Sequence, residues 1–319
     1  MSTGELAPFL GVLVLTALVT ALLVWGLRST PIVDDGSDAP ERKTQRVPVP
    51  LVGGLALFIA LVMTAVQEID ADVLWLGGAH RVSVWSAYAL LGSVLVGLTD
   101  DVAKSGLRPG VKFAAQLVLA LLCARHAVEA RGSDALVDGG TTFALVLLAM
   151  NAFNTFDNAD GCATSLAALG LGAVAPMLAA PLLGFLPFNL WLRRKAPDGS
   201  TTPLAYLGDA GSHLLGVLVA LVPGAWPVLA LPLLDLARLS VVRWRRGSRP
   251  WIGDRRHLAH RLQAAGLRPT TVVLALLAVA APSVLGGAFA DRAAWVLPAG
   301  LGATLLLFLG ALRVTPDVP

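Results

Sequence analysis

The feature that most constrains this chain is a succession of apolar stretches joined by short polar links. The stretches lie near 7–27, 51–66, 84–99, 111–124, 139–153, 162–176, 180–192, 211–223, 226–242, 270–290 and 293–312. In hydrocarbon no water reaches a backbone N–H or C=O, so each stretch must close its hydrogen bonds on itself as a helix. Only 14% of the residues are charged and the mean hydropathy is +0.73, whereas soluble domains carry about 25% charged residues. The expectation is an all-α, polytopic integral membrane protein of about eleven transmembrane helices, forming a single domain over 1–319. Several stretches are shorter than the roughly 20 residues a bilayer needs, so their ends must draw on flanking polar residues.

The links predict the orientation. Links 28–50, 100–112, 193–209 and 243–268 and the C-terminal tail hold 19 of the 24 Lys and Arg residues. Arg81, Arg125, Arg131 and Arg292 lie on the opposite side, and Arg238 lies within a span. Positive charge collects on the cytoplasmic side, which places the N-terminus outside and the C-terminus in the cytoplasm. Glu5 precedes the first span with no basic residue, unlike the basic start of a secretory signal peptide. Cys123 and Cys162 sit in or beside apolar runs, so no disulfide framework is expected. The region 161–192 is short for two spans, and Gly170, Gly172, Pro176 and Pro181 could mark a tight turn within it.

The chemistry centres on NAFNTFDNADG at 151–161, which follows the apolar run Thr141 to Met150. Asn151, Asn154, Asp157 and Asp160 recur every third position. On a helix such groups fall about 60° apart, so neighbours share a face. A carboxylate in hydrocarbon is costly unless paired or wet, so the series points to an aqueous cavity. A solvated helix end, with Asn and Asp as stop signals, is the plainer alternative.

Four further clusters fall on the same predicted side. Lys43 precedes the second span in ERKTQRVPVPLVGG, as either a site residue or an interface anchor. Asp100 and Asp101 end the third span, followed by Lys104, Arg108 and Lys112. Adjacent carboxylates oppose each other's ionisation unless a cation is near, which suits Mg²⁺ or a general base. Asp209, in LGDAGS, begins the eighth span, where a helix N-terminus favours anions; Asp209 could equally be an N-cap. Asp254-Arg-Arg-His257-Leu-Ala-His260-Arg261 suits a pyrophosphate, or anionic lipid. Asp235 and Arg238, three apart in one span, should pair with each other. Acids for a divalent cation and cations for phosphates, at a membrane boundary, point to phosphoryl transfer between a soluble nucleotide and a lipid. A transporter using Asp235 and Arg238 is disfavoured, because no inverted repeat is evident.

These residues resemble the polyprenyl-phosphate N-acetylhexosamine-1-phosphate transferase family. NAFNTFDNADG is similar to the family's N-x-x-N-x-x-D-G-x-D-G, and LTDDVAKSGLRPGVKFAAQ to its DD motif with a following Lys and Gln. LGFLPFN, LGDAGSHLLG and LPLLDLARLSVVRWRRGSRPWIGDRRHLAHRL also match, the last resembling the initiating-transferase branch. The resemblance covers about 40–268. It implies transfer of N-acetylhexosamine-1-phosphate from a UDP-N-acetylhexosamine to undecaprenyl phosphate. It likewise implies release of UMP and a place at the first membrane step of a cell-envelope polysaccharide pathway, in the bacterial cytoplasmic membrane.

By position, the resemblance makes Asp100, Asp101 and Asp160 catalytic and makes Asp209 and Asp101 ligands of Mg²⁺, or of Mn²⁺ in its place. Lys43, Lys112, Asn154, Asp157, Asn189, His257, His260 and Arg261 would bind substrate. Membrane lipids are expected partners, a homodimer is allowed and nucleic acid is not expected. The chain departs from the family at Asn158, at Ala259 and in the short 161–192 segment. A weakened relative that only binds lipid phosphate or nucleotide is the alternative.

Overall fold

A computed structural model describes residues 3–30, 32–34, 36, 47–65, 74–76, 80–103, 106–131, 135–249 and 253–318. Every apolar stretch carries a helix. In order these are α1 (Thr3–Leu27), α2 (Gly53–Ala65), α3 (Val84–Val102), α4 (Pro109–Arg131), α5 (Ala135–Phe156), α6 (Cys162–Val174), α7 (Pro176–Leu186), α8 (Gly208–Leu221) and α9 (Ala230–Arg245). A short helix, α10 (Leu258–Ala264), lies in the basic link and was not expected; α11 (Pro269–Ala288) and α12 (Val296–Val314) follow. The doubtful region 161–192 does hold two helices. Pro176 opens α7, where its missing N–H costs nothing, and Gly170 packs on Val228 rather than forming the turn.

The chain is not purely helical. β1 (Val33–Asp34) pairs antiparallel with β2 (Val49–Pro50), β3 (Leu74–Leu76) with β4 (His80–Val82), and β5 (Arg193–Lys195) with β6 (Thr201–Pro203). A parallel bridge joins Leu51 to Tyr206, and Gly54 N–H donates to Leu207 O at 3.0 Å. These bonds draw the starts of α2 and α8 together.

Among the described residues, five helices are long and apolar enough to cross a membrane: Gly4–Leu27, Pro109–Glu129, Leu136–Phe156, Pro269–Ala288 and Val296–Val314. The protein is a multi-pass membrane protein. α1 shows the lipid-facing pattern. Leu6, Leu10, Val14, Leu18, Leu22 and Trp25 form an exposed stripe, while Thr16 and Thr20 are buried and bond back to Val12 O and Thr16 O. The shorter apolar helices, such as Cys162–Val174 and Gly208–Leu221, are covered by other helices.

α8 is the axis of the core and packs on α3, α5 and α2. The close approaches run through glycine. A Cβ at Gly97 of α3 would lie 2.2 Å from Ala210 N, and one at Gly54 of α2 2.3 Å from Gly211 N. On α8 itself, a Cβ at Gly216 would meet Met150 Cα of α5 at 2.5 Å. Missing side chains thus let backbones touch, as membrane helices require, and the N-terminus of α8 is wedged between α2 and α3.

Candidate active site

The wedge brings four polar clusters into one basin of about 2100 Å³ at one end of the helices. At its centre Lys112, in the first turn of α4, lies between two acids. Its Nζ is 3.2 Å from Asp100 Oδ2 at the end of α3 and also contacts Asp209 Oδ2 on α8. Asp100 Oδ1 accepts from Leu107 N–H at 2.6 Å. Asn154 of α5 donates to Asp209 Oδ1 at 2.8 Å and to Ser212 Oγ at 3.1 Å. One ammonium and one amide therefore hold the Asp209 carboxylate from two helices.

Asp209 is not the N-cap of α8. The capping carboxylate comes from α3. Asp101 Oδ1 accepts from Asp209 N–H at 2.8 Å, and Asp101 Oδ2 from Ala210 N–H at 3.1 Å. Gly208 makes room with φ +75°, and a Cβ there would lie 2.7 Å from Asp101 Oδ2. Each oxygen of Asp101 accepts one backbone N–H, and each keeps a second lone pair. Behind this layer, His213 Nδ1 lies 2.6 Å from Asp209 O and His213 Nε2 lies 2.8 Å from Gln116 Nε2. Gln116 Oε1 in turn accepts from Asn151 at 3.0 Å.

The four-residue series is only half helical. α5 stops at Phe156, so Asn151 and Asn154 share its face while Asp157 and Asp160 lie in the following turn. Burial and the carboxylates of Asp209, Asp101 and Asp160 hold Asp157 well above the usual carboxylate range. Asp160 is also raised by burial, but is drawn back by Arg193, whose Nη1 lies 2.7 Å away. Arg193 further donates to Thr201 O at 2.7 Å, pinning the β5–β6 hairpin to the turn.

Two expected substrate contacts have protein partners instead. Asn189 borders the basin but its amide is spent on the protein: Oδ1 accepts from Thr164 Oγ1 and Nδ2 donates to Ala205 O, each at 3.1 Å. Arg261 points away from the basin. Its guanidinium binds Leu312 O, Thr315 O and Oγ1, and Asp317, closing the C-terminal end of α12. Arg261→Ala should therefore lower the melting temperature by several degrees while the KM for any substrate stays within about twofold, because carbonyls left without donors cost about 1–3 kcal/mol. Lys43 and Lys104 lie outside the described residues.

His257 and His260 do border the basin, their ring centroids 6.1 Å apart. Burial lowers the His260 pKa to about 4, which favours the neutral ring here. Among the described residues no three His, Cys, Asp or Glu side chains converge as a metal cage. Asp100 and Asp209 nevertheless place two hard oxygen donors on one shared cation. Mg²⁺ typically takes one or two carboxylates and fills the rest of its shell with phosphates and water, so these two residues fit it.

Fold and site define a multi-pass membrane protein that gathers acids, amides and cations at one end of an apolar bundle. The chain belongs to glycosyl transferase family 4, whose family model matches residues 83–225. That stretch runs from α3 past α8 and contains every central residue described above. The chain is 30% identical to a putative glycosyltransferase of Streptomyces coelicolor, over 94% of this chain and 74% of the relative. It is 28% identical to a decaprenyl-phosphate N-acetylglucosaminephosphotransferase of Mycobacterium tuberculosis, over 73% and 70%. It is also 26% identical to an undecaprenyl-phosphate alpha-N-acetylglucosaminyl 1-phosphate transferase of Yersinia pestis, over 84% and 80%.

Proposed function

We propose that the protein transfers N-acetylhexosamine-1-phosphate from a UDP-sugar to a polyprenyl phosphate of the undecaprenyl or decaprenyl type and releases UMP. The relatives' names support this reading, and one observation carries it: the Asp100–Lys112–Asp209 cluster with Asn154 beside it, at the floor of the basin. A volume of about 2100 Å³ exceeds the roughly 300–1,000 Å³ of a single small-molecule pocket. It leaves room for a nucleotide-sugar and a lipid head-group together. Basic links border it through Arg28, Arg193, Arg249 and Arg255. By the distribution of positive charge it faces the cytoplasm, where UDP-sugars are found.

An oxygen of the lipid phosphate attacks the sugar-bearing phosphorus of the donor; the bond to the UMP phosphate breaks, and UMP carries away the electron pair. Lys112 neutralises charge on the phosphoryl oxygens. Asn154 orients Asp209, and Asp101 fixes the backbone from which Asp209 projects. Asp100 and Asp209 would hold Mg²⁺, which when bound supplies charge neutralisation for phosphate oxygens.

Purified protein, given a panel of UDP-sugars with polyprenyl phosphate and Mg²⁺, should release UMP only when lipid phosphate is present, and chelation should stop it. Release of UDP would mean sugar transfer without phosphate and would overturn the reading. Nucleotide binding without turnover would overturn it in favour of a binding protein.

A further inference from the structure

Asp235 is 1% exposed in the middle of α9. A carboxylate so buried must be paired on both oxygens. The sequence provides one partner, Arg238, and its Nη2 does donate to Asp235 Oδ1 at 3.0 Å. A helix-packing ion pair would end there. Instead the other oxygen turns to the basin wall, where Asp235 Oδ2 lies 3.1 Å from His257 Nδ1. Leu258 N–H, at the start of α10, also points at both carboxylate oxygens, at 3.4 and 3.3 Å.

The surrounding bonds hold this geometry. Arg238 Nη2 also donates to Arg256 O, one residue before His257. Asp254 accepts from Arg243 Nε at 3.0 Å and from Arg256 N–H at 2.9 Å. Two acids and two arginines thus clamp the link on either side of the imidazole, which is itself 4% exposed. A carboxylate facing a guanidinium and a backbone N–H stays ionised and can only accept. Neutral His257 must then carry its proton on Nδ1, and Nε2 is the nitrogen left for the basin. His260 does not share this arrangement; its Nδ1 lies 3.0 Å from Gln263 Oε1 on its own helix.

We propose that Asp235 is a positioning residue of the site: through His257 Nδ1 it fixes the tautomer and ring orientation that turn Nε2 toward the substrate phosphates. The catalytic part of this assignment rests on the transfer proposed above; the tautomer does not. Neutral Nε2 accepts a hydrogen bond. Once protonated it donates one to a phosphate oxygen, and Asp235 stabilises the imidazolium, as an orienting carboxylate does for a general base.

The test has two arms. In ¹⁵N-histidine NMR of the full chain in nanodiscs, the His257 signal is assigned by its loss in His257→Gln. Wild type should show a protonated Nδ1 and a bare Nε2. Asp235→Asn, whose amide can donate, should shift His257 toward the Nε2–H form. An Nε2–H tautomer in the wild type overturns the proposal, whether or not Asp235→Asn folds.

In UMP-release assays Asp235→Asn should lower kcat by about 10–100-fold with KM for the UDP-sugar within about threefold. Asp235→Asn combined with His257→Gln should be no slower than His257→Gln alone. Independent, multiplying losses would show a purely structural aspartate and overturn the assignment. A wild type that releases no UMP sinks the transfer reading, while the tautomer is still decided by the spectrum.

Discussion

Asp209→Asn should lower UMP release by about 10²–10⁴-fold while the protein stays folded. The substitution keeps shape and removes charge. Lys112 would keep only Asp100 as its counter-ion, and the Asn154 amide would face another amide in place of a carboxylate. The backbone of α8 does not depend on the Asp209 side chain, because the cap is supplied by Asp101. Melting temperature should therefore change by only a few degrees. The assay is single-turnover release of UMP at saturating donor and Mg²⁺, beside a thermal melt of the same sample. Turnover within threefold of wild type would remove Asp209 from the chemistry.

Gly97→Ala should have the largest effect on folding, about 3 kcal/mol or more, from overpacking a contact that has no slack. The added methyl would lie 2.2 Å from Ala210 N, 2.3 Å from Ala210 Cα and 2.4 Å from Asp209 C. Backbone cannot swing aside as a side chain can, and α8 cannot retreat, because Gly54 of α2 presses on Gly211 N. Gly92→Ala, on the same helix, is the control. Its methyl would meet Leu119 Cδ2 at 2.5 Å, the far end of a flexible side chain, and should cost under about 1 kcal/mol once Leu119 turns aside. Thermal unfolding in detergent and the yield of monodisperse protein separate the two. Because the displaced atoms carry Asp209, whatever Gly97→Ala protein folds should also be slow. Equal melting temperatures for the two variants would show that α3 and α8 can part freely.

Much of this was legible because it is local. Apolar runs announce helices wherever they occur, and all eleven hold one. The pairing of Asp235 with Arg238 follows from a spacing of three. The clusters around Asp100, Asn154 and Asp209 carry unusual polar residues in apolar surroundings, and they do meet. What escaped depends on residues distant in sequence. Nothing near Asp101 says that it closes a helix beginning more than a hundred residues later. Nothing near Arg193 names Asp160 as its partner. Arg261 suits a phosphate and a row of carbonyls equally well, and only the arrival of α12 beside it decides between them. The end of α5 at Phe156 was hidden because NTFD contains no helix breaker and Gly161 comes five residues later. His257 and His260 both border the basin, but the aspartate behind His257 lay in another span.

The plug that Asp101 forms has a consequence for how the basin can change. Two amide hydrogens at the head of α8 are stoppered by a side chain borrowed from α3. Rotating that side chain away would unmask them both at once, at the positive pole of a helix. Drawing this acid away therefore opens a socket for an anion within the same few ångströms, so that vacating the plug and seating a phosphate become a single motion.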